Sequence, residues 1–345
     1  MEKDFNKRPT LKDISKETGF SITTVSLVLN NKKNRISEKS KNKIKAVAKK
    51  MDYRPNQLAV GLVKQRTKII GVIVSDISNE FFANLTKGIE NGCRKLGYNI
   101  ILCNTEDSYQ NCLNYINILA DKGVDGLILG MSVDMNLKKA QECDKILKFN
   151  NIPYITIDRF FKELDCSAVI SDNKQGAYLA TSYLIKNGHK KIAYISGPSQ
   201  LTDSKERLKG YKKALAENNI EFIPNCYFEG DYSQESGKEA FYNLQGKDFT
   251  AVFAFNGLMT FGFYHEANKN KINIPDDISL VGYDDLFFLD VLNPPITTVK
   301  QPVYQMGNQA AKEIYSLVHN KSKEKHYNVL QPELLIRESV KKIIK

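Results

Sequence analysis

From Ile69 onward the chain alternates short apolar runs with longer amphipathic stretches, and this alternation restricts the fold more than any other feature of the sequence. Strands that alternate with helices form parallel sheets covered by helices on both faces. The runs fall into two series, which predicts an α/β body built from two similar lobes. They are IIGVIV (69–74), NIILCN (99–104), GLILG (126–130) and YITI (154–157), then KIAYIS (191–196), AVFAF (251–255) and SLVGY (279–283).

The excess positive charge of the chain is confined to its first 66 residues. They carry 17 Lys and Arg against 6 Asp and Glu, whereas residues 67–345 carry 33 of each. A small basic segment joined to a large neutral body predicts a head that binds a polyanion, with nucleic acid and an anionic membrane as candidates.

Helix signals divide the basic segment into three short helices. Thr10 and Asp13 have the spacing of a capping box, and the first helix ends at Gly19. Ser21 is an N-cap for a second helix, and Ser37 begins a third. Two short helices joined by a turn that contains glycine are typical of a helix-turn-helix. The predicted inward residues are Val25, Val28 and Leu29 on the second helix, and Ile44, Val47, Ala48 and Met51 on the third.

The remaining faces of these helices favour DNA over a membrane. Ile22, Thr23, Ser26 and Leu27 point away from the predicted core, and the third helix carries a row of lysines. The lysines alone would fit a solvated face, but hydroxyls at the start of the second helix suit phosphates. A membrane-surface helix needs a strongly apolar face with bulky aromatic residues, which this segment lacks.

The head resembles LacI-family transcriptional regulators. The resemblance rests on the TVS-x-VLN core at 24–30, with S-E-K-S-K at 37–41 and Y-R-P-N-x-x-A at 53–59, and it continues to about Ser339. It implies a helix-turn-helix domain at 1–54, a hinge at 55–67 and a ligand-binding and dimerisation body at 68–345. It also implies a homodimeric, sequence-specific repressor that binds a pseudo-palindromic double-stranded operator. A small effector would control its affinity for that operator.

The family pattern implies which residues contact DNA. In the hinge, Leu62 matches a leucine inserted at the operator centre and Ala59 matches a small residue that allows close approach; such wedges kink DNA. One departure is Leu27, where the family usually has arginine. The full predicted DNA-contact set is Thr10, Ser21, Ile22, Thr23, Thr24, Ser26, Leu27, Asn30, Asn56, Ala59 and Leu62.

Polar residues follow several of the predicted strands. Ligands of such folds bind beyond the carboxyl ends of the strands. Carboxylates, arginine and amides beside aromatic rings are what a polyhydroxylated ligand needs. The body is also similar to periplasmic pentose- and hexose-binding proteins, and this resemblance implies many of the same residues and adds Arg207, Tyr232 and Gln301. The predicted ligand residues are Ser75, Asn79, Phe81, Phe82, Asp158, Arg159, Arg207, Tyr232, Asn256, Asp284 and Gln301.

The expected effector is a monosaccharide or a related compound. A purine or nucleoside and a phosphorylated sugar remain alternatives. At Gly257 the sequence departs from the family, which commonly has Asp there, and this departure predicts the loss of a helix cap beside Asn256. The lobes are expected to interleave, with 68–159 and 291–322 in the first, and 160–290 and 323–345 in the second. No heptad pattern follows the last strand, so a dimer is favoured over a tetramer.

Other function classes lack their signatures. GxGxxG, GxxxxGK[ST], HExxH and GxSxG motifs are absent, so the sequence predicts no enzyme, metal or cofactor. No signal peptide or membrane-length apolar run is present, and six scattered cysteines are expected to be reduced and mostly buried, which predicts a cytoplasmic protein. A non-regulatory sugar-binding protein and an architectural DNA binder with a vestigial pocket are the remaining alternatives.

Overall fold

The computed structural model describes residues 9–30, 35–53, 66–320 and 325–343. The chain separates into two compact units, residues 1–67 and 68–345, which we call the head and the body. Within the described residues, no helix combines the length and the apolar composition needed to cross a membrane. All six cysteines are buried in the body, as the sequence predicts.

The head contains three helices, α1 (Leu11–Thr18), α2 (Ile22–Leu29) and α3 (Glu38–Lys50). The predicted capping box is confirmed, since Thr10 Oγ1 accepts a bond from the Asp13 nitrogen and Asp13 Oδ2 accepts one from the Thr10 nitrogen at 2.8 Å. Gly19 then ends α1 with φ of 77°, a left-handed conformation that glycine adopts without strain. Ser21 caps α2 by accepting a bond from the Thr24 nitrogen at 3.1 Å.

The head has its own small core. Ile14, Val25, Val28, Ile44 and Ala48 are buried together, so the predicted inward faces of α2 and α3 are confirmed at these positions. The other predicted inward residues are half-buried and pack against this core; they are Leu29, Val47 and Met51.

The body contains two six-stranded sheets. The first has the strand order β11-β5-β4-β3-β1-β2 and comprises β1 (Ile69–Val74), β2 (Asn99–Asn104), β3 (Gly126–Gly130), β4 (Tyr154–Ile157), β5 (Ser167–Ser171) and β11 (Tyr327–Leu330). The second has the order β12-β10-β9-β8-β6-β7 and comprises β6 (Ile192–Ser196), β7 (Tyr227–Glu229), β8 (Ala251–Ala254), β9 (Ser279–Tyr283), β10 (Thr297–Lys300) and β12 (Glu333–Leu335). All pairings are parallel except that of β10 with β12.

Nine helices of the described body cover these sheets. They are α4 (Glu80–Lys95), α5 (Tyr109–Asp121), α6 (Leu137–Phe149), α7 (Asn173–Lys186), α8 (Thr202–Glu217), α9 (Gln234–Leu244), α10 (Gly257–Lys269), α11 (Phe287–Asp290) and α12 (Val303–Asn320). The predicted two-lobed α/β body with parallel sheets is therefore confirmed. We call the first sheet and its helices the first lobe, and the second sheet and its helices the second lobe.

The predicted lobe boundaries are wrong at three strands. β5 pairs with β4 and β11 pairs with β5, so both belong to the first lobe, although the boundaries 160–290 and 323–345 assigned them to the second. β10 pairs with β9 in the second lobe, although 291–322 assigned it to the first. The lobe to which each of these strands belongs depends on the strand with which it pairs, and the sequence pattern does not reveal that pairing. The chain crosses between the lobes after β5, after β10 and after β11.

A close helix contact fixes two elements of the first lobe. A Cβ atom on Gly88 of α4 would lie 2.3 Å from the Tyr304 carbonyl oxygen of α12, and one on Gly307 would lie 2.4 Å from the Leu85 carbonyl oxygen. The two helix backbones can approach this closely because both positions are glycine. α4 begins directly after Asn79 and α12 begins shortly after Gln301, so this contact also holds two parts of the candidate site.

Candidate functional site

A cavity of about 220 Å³ lies at the carboxyl ends of the strands, between the two lobes. Ten of the eleven predicted ligand residues line it, namely Asn79, Phe81, Phe82, Asp158, Arg159, Arg207, Tyr232, Asn256, Asp284 and Gln301. The rule that ligands bind beyond the carboxyl ends of parallel strands predicts most of these residues, and the family resemblance supplies Arg207, Tyr232 and Gln301.

Ser75 is the exception, because it is not among the residues that line the cavity. It is fully buried, and its hydroxyl donates a hydrogen bond to the Met131 carbonyl oxygen at 3.2 Å. The same carbonyl oxygen accepts a bond from Arg159 Nη1 at 2.9 Å. Ser75 therefore helps to fix the partner of Arg159 rather than facing a ligand.

Arg159 connects the first lobe to the second. It follows β4, yet its Nε lies 3.7 Å from Asp203 Oδ2 on α8 of the second lobe. Its guanidinium also lies 5.6 Å from the centre of the Tyr232 ring and 3.8 Å from Asp107 Oδ1. A guanidinium in this position holds carboxylates of both lobes near each other.

Arg207 lines the cavity from the second lobe. Its Nε donates to Asn173 Oδ1 at 2.8 Å, and its Nη1 donates to the Phe255 carbonyl oxygen. The guanidinium carbon lies over the Tyr283 ring, 3.8 Å from its centre. Because these contacts fix the planar group on several sides, its remaining nitrogen has a defined direction.

Tyr232 and Asn256 are held by the protein rather than being free to turn. The Tyr232 hydroxyl donates to Asp203 Oδ2 at 2.8 Å, and the Tyr232 carbonyl accepts from Asn256 Nδ2 at 2.7 Å. Asn256 Oδ1 also caps α10 by accepting from the Met259 nitrogen at 2.9 Å. The residue Gly257 therefore does not leave α10 uncapped, since Asn256 performs this function.

Burial and charge set the pKa values of the carboxylates in the cavity. Burial raises the pKa of Asp158 to about 7, reinforced by Asp203 and Asp284 and opposed by the two guanidiniums. Burial also raises the pKa of Asp284, against the charge of Arg207. For Asp203 burial acts in the same direction, but Arg159, Arg207 and the Tyr232 hydroxyl outweigh it and hold its pKa below the usual value.

Several cavity residues have left-handed backbone conformations. The φ angles are 70° for Asp158, 74° for Tyr232 and 68° for Asp284, and none of these residues is glycine. Such conformations carry strain, and they concentrate at functional sites, where the surrounding structure imposes them. They turn the chain sharply after a strand or loop so that these side chains reach the cavity.

Three polar atoms in the wall have no hydrogen-bond partner among the described residues. They are Arg159 Nε, Asp203 Oδ1 and Gln301 Oε1, and each belongs to a buried side chain. Gln301 uses its other end to donate to Asp284 Oδ1 at 2.6 Å. Because an unsatisfied buried polar atom costs about 1–3 kcal/mol, the three atoms indicate where a ligand would supply hydrogen bonds.

Sequence reasoning missed several residues of the cavity wall. Asp107 follows β2 and Val133 follows β3, so the strand-end rule could have found both. Asp203 lies in the first turn of α8, after a loop, and no strand-end signal marks it. The other wall residues outside the predicted set are Asp76, Asp231, Ser233 and Leu258, and of these Asp76 directly follows Ser75 at the end of β1.

The predicted DNA-contact residues of the head lie at and after the start of α2, apart from Thr10, which caps α1. Ser21, Ile22 and Thr23 are exposed, whereas Thr24, Ser26 and Leu27 are half-buried. Asn30 is exposed and donates to the Ser26 carbonyl oxygen at 2.9 Å. Asn56, Ala59 and Leu62 of the hinge lie outside the described residues.

Taken together, the small helix-turn-helix head and the two-lobed body with its polar cavity define a DNA-binding transcriptional repressor with an effector-binding domain. Residues 10–56 match the bacterial regulatory proteins of the lacI family, and residues 67–339 match the periplasmic binding proteins and sugar binding domain of the LacI family. The chain belongs to the LacI family and is not an enzyme.

The relatives include whole-length repressors. The HTH-type transcriptional repressor PurR of Vibrio campbellii is 34% identical over 336 residues, which are 97% of this chain and 99% of PurR. The lac repressor dimer, solved with operator and the anti-inducer ONPF, is 25% identical with a TM-score of 0.87 over 97% of this chain and 100% of that chain. A LacI-family regulator from Enterococcus faecium with bound ribose is 30% identical, with a TM-score of 0.71 over 80% of this chain and 100% of that chain.

Proposed function

We propose that this repressor is a homodimer whose affinity for a pseudo-palindromic operator is controlled by an uncharged, polyhydroxylated effector, with a monosaccharide as the first candidate. The effector binds in the cavity between the lobes. The proposed contacts are the ten predicted residues that line this cavity. The protein acts in the cytoplasm, where its operator lies.

The observation that carries this proposal is the mixture of donors and acceptors in the cavity wall. Arg159 Nε can donate, whereas Asp203 Oδ1 and Gln301 Oε1 can accept, and none has a partner among the described residues. A sugar hydroxyl both donates and accepts, so neighbouring hydroxyls can satisfy all three atoms. Phe81 and Phe82, whose ring centres lie 5.1 Å apart, offer an apolar surface for a sugar ring.

Charge argues against a phosphorylated sugar. Six carboxylates and two guanidiniums belong to the residues that line the cavity. Both guanidiniums already donate to backbone carbonyl oxygens of Met131 and Phe255. A phosphate would meet an excess of negative charge that these two cations do not balance.

A purine base or nucleoside is the second candidate effector. PurR repressors are among the relatives of this chain, and the cavity has aromatic walls at Phe81, Phe82 and Tyr232. The two candidates differ in what they require: a base needs apolar surfaces on its two faces and hydrogen bonds only at its edge, whereas a sugar needs hydrogen bonds around its whole ring.

For the DNA contacts, we propose that the start of α2 enters the major groove and that Asn56, Ala59 and Leu62 of the hinge contact the minor groove. The exposed side chains Ser21, Ile22 and Thr23 at the start of α2 support the first part. The basic balance of residues 1–66 predicts that operator binding weakens steeply as salt is added.

A thermal-shift screen followed by operator binding tests the proposal. The panel contains D-ribose, D-glucose, inosine, hypoxanthine and the phosphates of both sugars. An effector raises the melting temperature because it binds only the folded state. We expect a neutral sugar to raise it and to change operator affinity in a gel-shift or fluorescence assay. Stabilisation by hypoxanthine but by no sugar would replace the first candidate with the second, and stabilisation without any change in operator affinity would contradict effector control.

A further inference from the structure

Asp203 is a buried acidic residue in the wall of the effector cavity, and the role proposed for it here rests on the proposed function. It lies in the first turn of α8 and is 4% exposed. Asp203 does not follow a strand directly, and its side chain does not cap the helix. A place in the first turn of a helix favours a negative charge, but it does not explain why the carboxylate is buried in the cavity wall.

One oxygen of Asp203 is committed to the protein and the other is not. Oδ2 accepts from the Tyr232 hydroxyl at 2.8 Å and lies 3.7 Å from Arg159 Nε. Oδ1 has no hydrogen-bond partner among the described residues, although it is buried. A charged carboxylate with one free oxygen accepts strongly from a hydroxyl or N–H group of a ligand.

Asp203 carries a negative charge near neutral pH because the surrounding groups favour it. Arg159 and Arg207 lower its pKa, and so does the hydrogen bond from Tyr232; together they outweigh burial. Asp158 is the opposite case, since burial raises its pKa to about 7. Asp203 therefore supplies more of the negative charge next to Arg159 than Asp158 does.

This charge changes what Arg159 can bind. A guanidinium that faces a cavity is a natural ligand for a phosphate, which it binds through two parallel N–H groups. Here Nη1 donates to Met131, and Nε lies between Asp203 Oδ2 at 3.7 Å and Asp158 Oδ2 at 4.0 Å. A phosphate that approached Arg159 would also approach these carboxylates.

We propose that Asp203 determines effector specificity: its carboxylate accepts a hydrogen bond from an uncharged effector and, by neutralising Arg159, excludes phosphorylated forms of the same compound. The uncharged effector is favoured by a contact and the phosphorylated one is rejected by repulsion. Specificity of this kind needs both an attractive contact to the favoured ligand and repulsion of the competing one.

The test compares Asp203→Asn with wild type on matched pairs of ligands. The pairs are D-ribose with D-ribose 5-phosphate, D-glucose with D-glucose 6-phosphate, and inosine with inosine 5′-monophosphate, measured by calorimetry on the full chain. Asparagine has the shape of aspartate and can still accept from Tyr232, so the substitution removes the charge.

Wild type is expected to prefer the uncharged member of its best pair. In Asp203→Asn, affinity for that member should fall by at least about tenfold, and the preference over the phosphorylated member should narrow by a similar factor. Glu206→Gln is the matched control, because Glu206 lies on the same helix as Asp203, pairs with Lys209 at 2.6 Å at the surface and does not line the cavity. Its effect should stay within about threefold because an exposed charge is screened by solvent.

A second variant guards against a loss of folding in Asp203→Asn. Tyr232→Phe removes the hydrogen bond to Asp203 and leaves the carboxylate, so the preference for the uncharged member should remain. Measured at pH 8, where Arg159 and Arg207 still favour a charged Asp203, loss of that preference in Tyr232→Phe would show that the Tyr232 hydroxyl, and not the charge, sets specificity, and would overturn the inference.

The remaining outcomes separate this inference from the proposed function. If wild type binds inosine and no sugar, the effector class of the proposed function is wrong, and the inosine pair still tests Asp203. A folded Asp203→Asn protein with unchanged discrimination overturns the inference while leaving the effector class intact. Wild type that prefers a phosphorylated member, or binds no member of the panel, overturns both.

Discussion

The Glu80 carboxylate of the first lobe accepts a hydrogen bond from the Phe287 backbone nitrogen of the second lobe, with Oε2 2.8 Å from the nitrogen. Phe287 is the first residue of α11, and the residue before it, Leu286, provides no side-chain cap. Glu80 therefore supplies from the other lobe a partner that α11 lacks in its own sequence. It does not line the effector cavity, but it borders a second cavity of about 250 Å³ beside it. This hydrogen bond stabilises the present arrangement of the lobes, and Glu80 lies outside the effector cavity.

Removal of this bond should weaken the binding of every effector by the same factor. Glu80→Ala deletes one charge-assisted hydrogen bond in an exposed position, so we expect a loss of about 0.5–1.5 kcal/mol, or about 2- to 10-fold in affinity. X-ray scattering of the ligand-free protein should show more open lobes. The relative affinities for different ligands should not change.

The matched control for Glu80 lies on the same helix. Glu90 of α4 pairs with Arg94 of that helix at 3.0 Å and lies outside both cavities. Glu90→Ala removes the same charge and should leave effector affinity and the scattering profile unchanged. Equal effects of the two substitutions would mean that charge on α4, and not the contact between the lobes, is responsible.

Asp158 should make the stability of the body depend on pH between about 4 and 7. The folded state holds a proton on Asp158 up to about pH 7, whereas an unfolded aspartate releases it near 3.8. This contribution to stability is complete below the unfolded pKa and is lost as the pH rises through the folded one. At 1.36 kcal/mol per pH unit, it amounts to at most about 4 kcal/mol.

Urea unfolding of wild type and Asp158→Asn at several pH values measures this contribution. The variant cannot titrate at this position, so its unfolding free energy should fall less between pH 4.5 and 7.5 than that of wild type. Asp203 does not interfere in this window, because its lowered pKa places its own contribution at lower pH. Parallel pH profiles for the two proteins would show that Asp158 is charged in the folded state throughout.

Arg207→Lys should abolish the response to effector while ligand-free operator binding persists. Lysine cannot reproduce a planar group that donates to Asn173, donates to the Phe255 carbonyl and stacks on Tyr283. We expect effector affinity to fall by about 2–5 kcal/mol, as measured by calorimetry. Lys209→Ala on the exposed face of α8 is the control and should retain the response. An unchanged affinity in Arg207→Lys would mean that the effector binds elsewhere.

The location of the cavity could be predicted from the sequence because it depends on local signals. Strands of four to six apolar residues were visible, and polar residues such as Asp158 and Asp284 follow them directly. The parallel arrangement of the strands then places these strand ends together. Chain order and strand pattern are enough for that step.

The role of Asp203 could not be predicted because it depends on contacts between distant parts of the chain. Its place at the start of a helix fits an ordinary acidic first turn. Only the folded structure brings Arg159 of the first lobe and Tyr232 beside it. The interleaving of the lobes was mispredicted for a related reason, since the side of the cleft on which β5, β10 and β11 lie depends on strand pairing and not on the composition of the strands.

Leu27 should determine the base preference at one position of each operator half-site. It lies half-buried on α2, whose core-facing residues are Val25 and Val28, so it belongs to a different face of this helix. Leucine has no donor for the O6 and N7 atoms of guanine and can pack only against an apolar edge such as a thymine methyl group. We therefore expect wild type to tolerate substitution at this position or to prefer thymine.

Leu27→Arg should shift the preference at that position towards guanine by about 1–3 kcal/mol and leave other positions unchanged. Leu27→Met is the matched control, because methionine is also apolar and adds no donor, so it should keep the wild-type preference. A base-by-base binding scan of one half-site measures both variants at a fixed salt concentration, since phosphate contacts make affinity depend on salt. If wild type already requires guanine there, and Leu27→Arg does not alter that requirement, then Leu27 does not face the bases and α2 meets the groove through another surface.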